Sequence, residues 1–167
     1  MAGFSVVGPI LPLYIRELGV QSEDAVRLWS GIIFSAPAVT MTLASPIWGA
    51  LSDRHGRKVM VVRAMFGGAI IIALAGLAQN VQQLAVLRAI QGALTGTVTA
   101  ATTLVATTVP RRHAGYALGL LQMAIYAGAS VGPVVGGLVA DSLGYRAAYF
   151  LTAALLFVSA LAVVFFV

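Results

Sequence analysis

Five acids and ten Lys or Arg residues carry all the formal charge of this 167-residue chain, so the places where charge, glycine and proline gather are where chemistry could occur. The densest is Gly49 to Lys58, which reads Gly-Ala-Leu-Ser-Asp-Arg-His-Gly-Arg-Lys. Gly56 permits a tight turn through a positive φ, and Arg54, Arg57 and Lys58 can reach anionic lipid headgroups. Asp53 is different. It stands at the C-terminal end of a helix, where the macrodipole already places negative charge, so its carboxylate wants a cation or another helix N-terminus beside it. Arg57, Arg112 or an element outside this chain could serve, and a pairing made in one conformation only would act as a latch.

A second group is Arg88, Gln91, Thr95, Thr99 and Thr102, spaced by three or four residues so that one helical face would carry a polar stripe. An arginine one turn inside a membrane span costs up to about 2.5 to 3.5 kcal/mol at the centre and less near an end, so it should face protein or water. Snorkelling to headgroups is the other reading of Arg88, and back-bonding to their own helix the other reading of the threonines. The third group is Gly119, Gly128, Gly132, Pro133, Gly136 and Gly137. Gly128, Gly132 and Gly136 recur every fourth residue and leave a ridge that another helix can approach closely, while Pro133 cannot donate to the Ala129 carbonyl and should kink the helix. His55 and His113 are single and lack metal-site spacing. No cysteine, no GxxxxGK[ST] loop and no plausible Ser, His and Asp set at one membrane depth is present.

The elements that must position these groups are membrane helices. The chain is 60% hydrophobic and 9% charged with a mean hydropathy of +0.97, which excludes an ordinary soluble enzyme. Apolar runs between polar breaks predict six spans, at about residues 1–15, 28–51, 59–78, 84–109, 115–139 and 147–167. They fill the chain as one module, residues 1–167, with no soluble domain. The first run is short, which points to a truncated N-terminus. Gly8, Pro9 and Pro12 in span one and Pro37, Ser45 and Pro46 in span two predict broken or bent helices that line a cavity. Span three, with few polar residues, and span six, rich in Phe150, Phe157, Phe165 and Phe166, read as lipid-facing scaffold. Trp29, Tyr145 and Tyr149 fall near interfaces, where aromatic residues collect.

Charge position sets orientation. Arg54, Arg57, Lys58 and Arg63, with Arg111 and Arg112, flank the connectors after spans two and four, while the other three carry Arg16, Arg27 and Arg146 with Glu17, Glu23, Asp24 and Asp141. The positive-inside rule puts the two basic connectors, and with six crossings both termini, in the cytoplasm. The net charge of +5 therefore speaks to lipid and not to nucleic acid.

Gly49 to Lys58 resembles the signature loop of the major facilitator superfamily, which lies between the second and third helices of its members. The resemblance implies that Gly49, Asp53, Gly56 and Arg57 stabilise the outward-facing state and govern switching, with Arg54, Lys58 and Arg112 beside them. Arg88, Gln91 and Gly92 are similar to a pattern at the start of helix four in proton-coupled members, there associated with proton transfer. The run from Gly119 to Gly137 resembles the pattern that marks antiporters, usually drug and proton exchangers. The implied fold is all-α, the N-terminal six-helix half of a transporter in which two halves rock about a central cavity.

The implied activity is efflux of a small lipophilic or drug-like molecule against inward proton flow, without a cofactor and with the proton gradient as energy source. Its implied partners are the bilayer, the cargo, protons and either a missing C-terminal half or a second copy. An inner-membrane location suits the short loops. No Asp or Glu lies within the depth of any span, so a coupling carboxylate has to be Asp53 or lie outside this sequence. An apolar and hydroxyl lining favours lipophilic cargo, although Arg88 keeps an anion open. The competing readings are a proton-coupled or facilitative importer of a sugar or metabolite, and a non-transporting six-helix protein that assembles through the glycine ridge.

Overall fold

The computed structural model describes residues 11–166, and among them every regular element is a helix. In chain order these are α1 (Leu11–Glu17), α2 (Glu23–His55), α3 (Arg57–Gly76), α4 (Val81–Leu94), α5 (Thr97–Thr108), α6 (Arg111–Leu143) and α7 (Tyr145–Phe166). With α4 and α5 taken as the single segment Val81–Thr108, five stretches are long and apolar enough to cross a membrane. Most of the first expected span, with Gly8 and Pro9, lies outside the described residues. Its described end is α1, whose Leu11, Tyr14 and Ile15 are buried.

α2 and α6 each run 33 residues, or about 50 Å, well beyond the roughly 30 Å of a hydrocarbon core. Their ends therefore reach headgroup level, and the connectors that follow shrink to one residue each. The run from Gly49 to His55 is the last two turns of α2 and not a loop, and Arg111 and Arg112 open α6. Gly56 and Gly144 make the two turns, at φ 88°, ψ 147° and φ 86°, ψ 161°. That part of backbone space is essentially reserved for glycine. In both turns an aspartate, Asp53 or Asp141, stands three residues before the glycine, and an arginine, Arg57 or Arg146, follows it at the start of α3 or α7.

None of the prolines inside the long helices breaks its helix. α2 continues through Pro37 and Pro46, and α6 through Pro133. The break falls instead in the fourth segment, at Thr95 and Gly96. Here glycine sits among Thr95, Thr97, Val98 and Thr99, residues of low helix propensity. The Thr95 hydroxyl also donates to the Gln91 carbonyl at 2.6 Å, which ends the α4 ladder locally.

α3 is the most buried of the membrane-length helices of this half, with Val59, Ile70 and Leu74 left exposed along one side. Ten of its residues are buried, among them Met60, Ala64, Gly68, Ile72, Ala75 and Gly76, and it packs chiefly on α7, then on α4 and α5. A helix that is apolar all round gives no sign of which side faces lipid, and such a helix is commonly internal. α7 divides as an outer helix should: Ala148, Tyr149, Ala153 and Ala160 are buried, while Phe150, Phe157 and Phe165 are exposed.

Candidate functional site

Two groups of residues converge where the fourth segment breaks. The first begins at the N-terminus of α4, where the Asn80 side chain accepts from the Gln83 amide at 2.8 Å and Gln83 Oε1 accepts from the Gln79 amide at 3.0 Å. This reciprocal cap starts the helix so that Arg88 and Gln91, two to three turns in, face the bundle. Both are only 4% exposed. Arg88 donates to Gln91 Oε1 at 3.1 Å and to the Tyr149 hydroxyl of α7 at 3.3 Å. Arg88 is therefore an internal group and does not snorkel.

Tyr149 is the partner of Arg88 that reading by span position misses. It is fully buried, one turn from the start of α7. Its ring lies 5.2 Å from that of Tyr14, and the Tyr14 hydroxyl donates to the Ala75 carbonyl of α3 at 3.3 Å. The guanidinium is thus held by α4 and α7, and Tyr149 is in turn braced by Tyr14 of α1, which is bonded to α3. The available signal was a tyrosine one turn into the last span, four residues after Tyr145, in an otherwise apolar helix.

α2 is stitched to α4 at three levels. The Thr40 hydroxyl donates to the Ala89 carbonyl at 2.7 Å, and the Trp48 indole donates to the Ala93 carbonyl at 2.5 Å. The latter takes an acceptor that the break leaves without a helical donor. Between them lies Gly92, where an added Cβ would stand 2.1 Å from the Pro37 carbonyl oxygen and 2.3 Å from Thr40 Oγ1. Gly92 is thus a contact of two backbones as well as part of a cavity wall.

The polar stripe is consequently split. Arg88 and Gln91 stay on α4, Thr95 caps it, and Thr99 and Thr102 belong to α5, with Thr99 exposed. The Thr95 and Thr102 hydroxyls bond back to Gln91 and Val98. Gln91, Gly92, Thr95 and Gly96 line a cavity of about 330 Å³, closed by Phe34, Pro37, Met41, Ile72 and Leu156. A second cavity, of about 220 Å³, shares Met41, Thr95 and Gly96 with it and opens toward Gly49, Asp53 and Arg57.

At the end of α2, Asp53 Oδ1 lies 4.0 Å from the Arg57 guanidinium, and its side chain is 75% exposed. Such a pair is loose and contributes little. Arg54 and Arg112 are exposed and stand apart from it, so Arg57 is the one cation of this chain that the structure brings to Asp53. Lys58 Nζ donates to the Val164 carbonyl near the C-terminus of α7 at 3.0 Å, tying the α2–α3 turn to the last helix. On α6, Gly132 and Gly136 are buried with Ala140 one turn beyond. Gly128 is half-buried, Gly119 is exposed, and neither Gly119 nor Gly137 has an atom within 4 Å of an added Cβ. The ridge is therefore Gly128, Gly132, Gly136 and Ala140, and the outer glycines of the pattern do not belong to it.

Comparison with known proteins agrees with this architecture. The family profile described as Major Facilitator Superfamily matches residues 1–167. The chain is 46% identical over 166 residues to the Multidrug resistance protein MdtG of Proteus mirabilis (strain HI4320) and to that of Salmonella newport (strain SL254). Each match takes in 99% of this chain and 41% of the relative, so the chain spans about two-fifths of the curated relatives it matches. A bundle of membrane-length helices and a profile match from end to end lead to one assignment: the chain belongs to the Major Facilitator Superfamily, a family of multi-pass transporters and not of enzymes.

Proposed function

We infer that this chain is the N-terminal six-helix half, residues 1–167, of an inner-membrane multidrug efflux transporter that exchanges lipophilic cargo for protons by alternating access. The observation that carries the reading is the 46% identity, over 99% of the chain, to proteins named Multidrug resistance protein MdtG. The buried Arg88 agrees with it, since a guanidinium held inside a span is retained where a transport path or a proton relay needs it.

In this reading the basic ends of α2, α3 and α6 lie in the cytoplasm, with both termini. The placement of cations supports that topology. Arg57 and Lys58 open α3, and Arg111 and Arg112 open α6, where the helix dipole disfavours them, so anionic headgroups are what favours them there. Asp53, with Gly49, Gly56 and Arg57, forms the switch, and its loose, exposed pairing with Arg57 leaves the carboxylate available to a partner in the other half. Arg88 and Gln91 act on the cavity side of α4, and the α6 ridge gives close helix packing that moves as a unit. The cargo surface is shared with the half beyond this chain, protons supply the energy, and no cofactor is required.

The test is drug accumulation in cells lacking other pumps and expressing the full-length protein. Efflux that collapses when a protonophore dissipates the gradient is expected. Efflux indifferent to the gradient sinks the proton-exchange reading, and uptake of a sugar or metabolite in place of efflux sinks the export reading.

A further inference from the structure

Arg63 lies six residues along α3 from Arg57, about 9 Å deeper than the α2–α3 turn. Its guanidinium stacks on the Trp48 indole, 3.4 Å from the ring centroid. Trp48 is itself fixed by the bond from its Nε1 to the Ala93 carbonyl. Buried Nε of Arg63 has no hydrogen-bond partner among the described residues, and no acid lies within ion-pair distance of this side chain. Arg63 is half-buried, and stacking on a ring face offsets part of its desolvation while leaving the buried Nε donor unsatisfied.

The guanidinium faces the cavity of about 220 Å³, whose mouth is formed by Asp53 and Arg57 at the cytoplasmic end of the proposed topology. The charged residues of the lining are Asp53, Arg57 and Arg63, so the cavity carries one net positive charge. Ser52 and Thr99 line it with hydroxyls not engaged in back-bonding, unlike those of Ser45 and Thr103. Donors therefore converge from three helices. A guanidinium that meets an aromatic face through its central carbon keeps its N–H edge free, the edge that binds an oxyanion through two parallel hydrogen bonds.

We propose that this cavity binds a singly charged phosphate group, held by Arg63 with Ser52 and Thr99, whose source is either the headgroup of a cytoplasmic-leaflet phospholipid or a free phosphate. The site adjoins the cavity beside Gln91 and shares Met41, Thr95 and Gly96 with it, but Ser52, Arg63 and Thr99 line this one alone, and its test is a binding measurement that does not pass through transport. Asp53 at the mouth makes a doubly charged anion less favourable than a singly charged one.

The full-length protein, delipidated in detergent, is titrated with phosphatidylglycerol and followed by native mass spectrometry, and its thermal stability is followed against inorganic phosphate. Saturable binding of phosphatidylglycerol is expected, weakened about tenfold in Arg63→Gln. If Thr99→Val also weakens it while inorganic phosphate shifts the melting temperature of neither protein, the source is lipid. A phosphate-dependent rise in melting temperature that Arg63→Gln abolishes assigns the site to a free anion. Should Arg63→Gln fail to fold, the Ser52→Ala, Thr99→Val double variant carries the same comparison. Indifference of both readouts to these substitutions, or no binding of either phosphate source by the parent protein, overturns the proposal.

Discussion

The Arg88 guanidinium of α4 donates to the Tyr149 hydroxyl of α7 across 3.3 Å, joining residues 61 apart in sequence. Tyr149 is fully buried and Arg88 nearly so, so the bond is made where water does not compete for either group. Tyr149→Phe keeps the ring against Tyr14 and removes one acceptor from a buried cation. A loss of about 1 to 3 kcal/mol is expected, read as a lowered melting temperature of the full-length protein. Arg88→Met is expected to abolish efflux while leaving a folded protein, because methionine is apolar and unbranched and follows the arginine stem without leaving a buried charge unpaired. Full efflux by that variant would remove Arg88 from the mechanism.

Gly92 faces the α2 backbone so closely that an added methyl would meet the Pro37 carbonyl oxygen at 2.1 Å. Gly92→Ala must part α2 from α4 and break the Thr40 bond to Ala89, so a cost of about 1 to 3 kcal/mol is expected. Gly119 has open space around it, and Gly119→Ala should raise helix stability by about 0.5 to 1 kcal/mol. Melting curves of the two variants of the full-length protein should thus move in opposite directions.

Gly56 and Gly144 hold matching positive-φ turns. Alanine at either position is expected to cost about 1 to 3 kcal/mol in backbone strain. A thermal-stability assay in which Gly56→Ala and Gly144→Ala lose comparable amounts supports equivalent joints. A neutral result at one would show that its turn adapts.

Asp53 is three-quarters exposed and only loosely paired, so its carboxylate adds little to the stability of this half. Asp53→Asn in the full-length protein should leave expression and melting temperature near normal while transport is lost. Normal transport by this variant contradicts the switch reading, and loss of expression together with transport contradicts the small structural contribution.

Membrane helices, their approximate positions and the basic connectors were legible in the sequence, because bilayer thickness dictates apolar run length and charge is excluded from the core. The turn at Gly56 was legible for a similar local reason: two long helices that meet within one residue need a backbone conformation that glycine alone adopts readily. Relations between helices were not legible. The stripe from Arg88 to Thr102 is periodic in sequence, yet packing of Gly92 on Pro37 and of Trp48 on Ala93 goes with a break at Thr95 and Gly96 that the period does not reveal. Prolines predicted a broken or bent α2, and the helix runs unbroken through Pro37 and Pro46. Apolar α3 carried no sign of which ten residues it buries against its neighbours, and Tyr149 none that it meets Arg88, since each depends on which helix arrives alongside. Hydropathy is a property of one helix against lipid, whereas the site is a property of side chains brought together from α1, α2, α3, α4 and α7, and only tertiary packing chooses those neighbours.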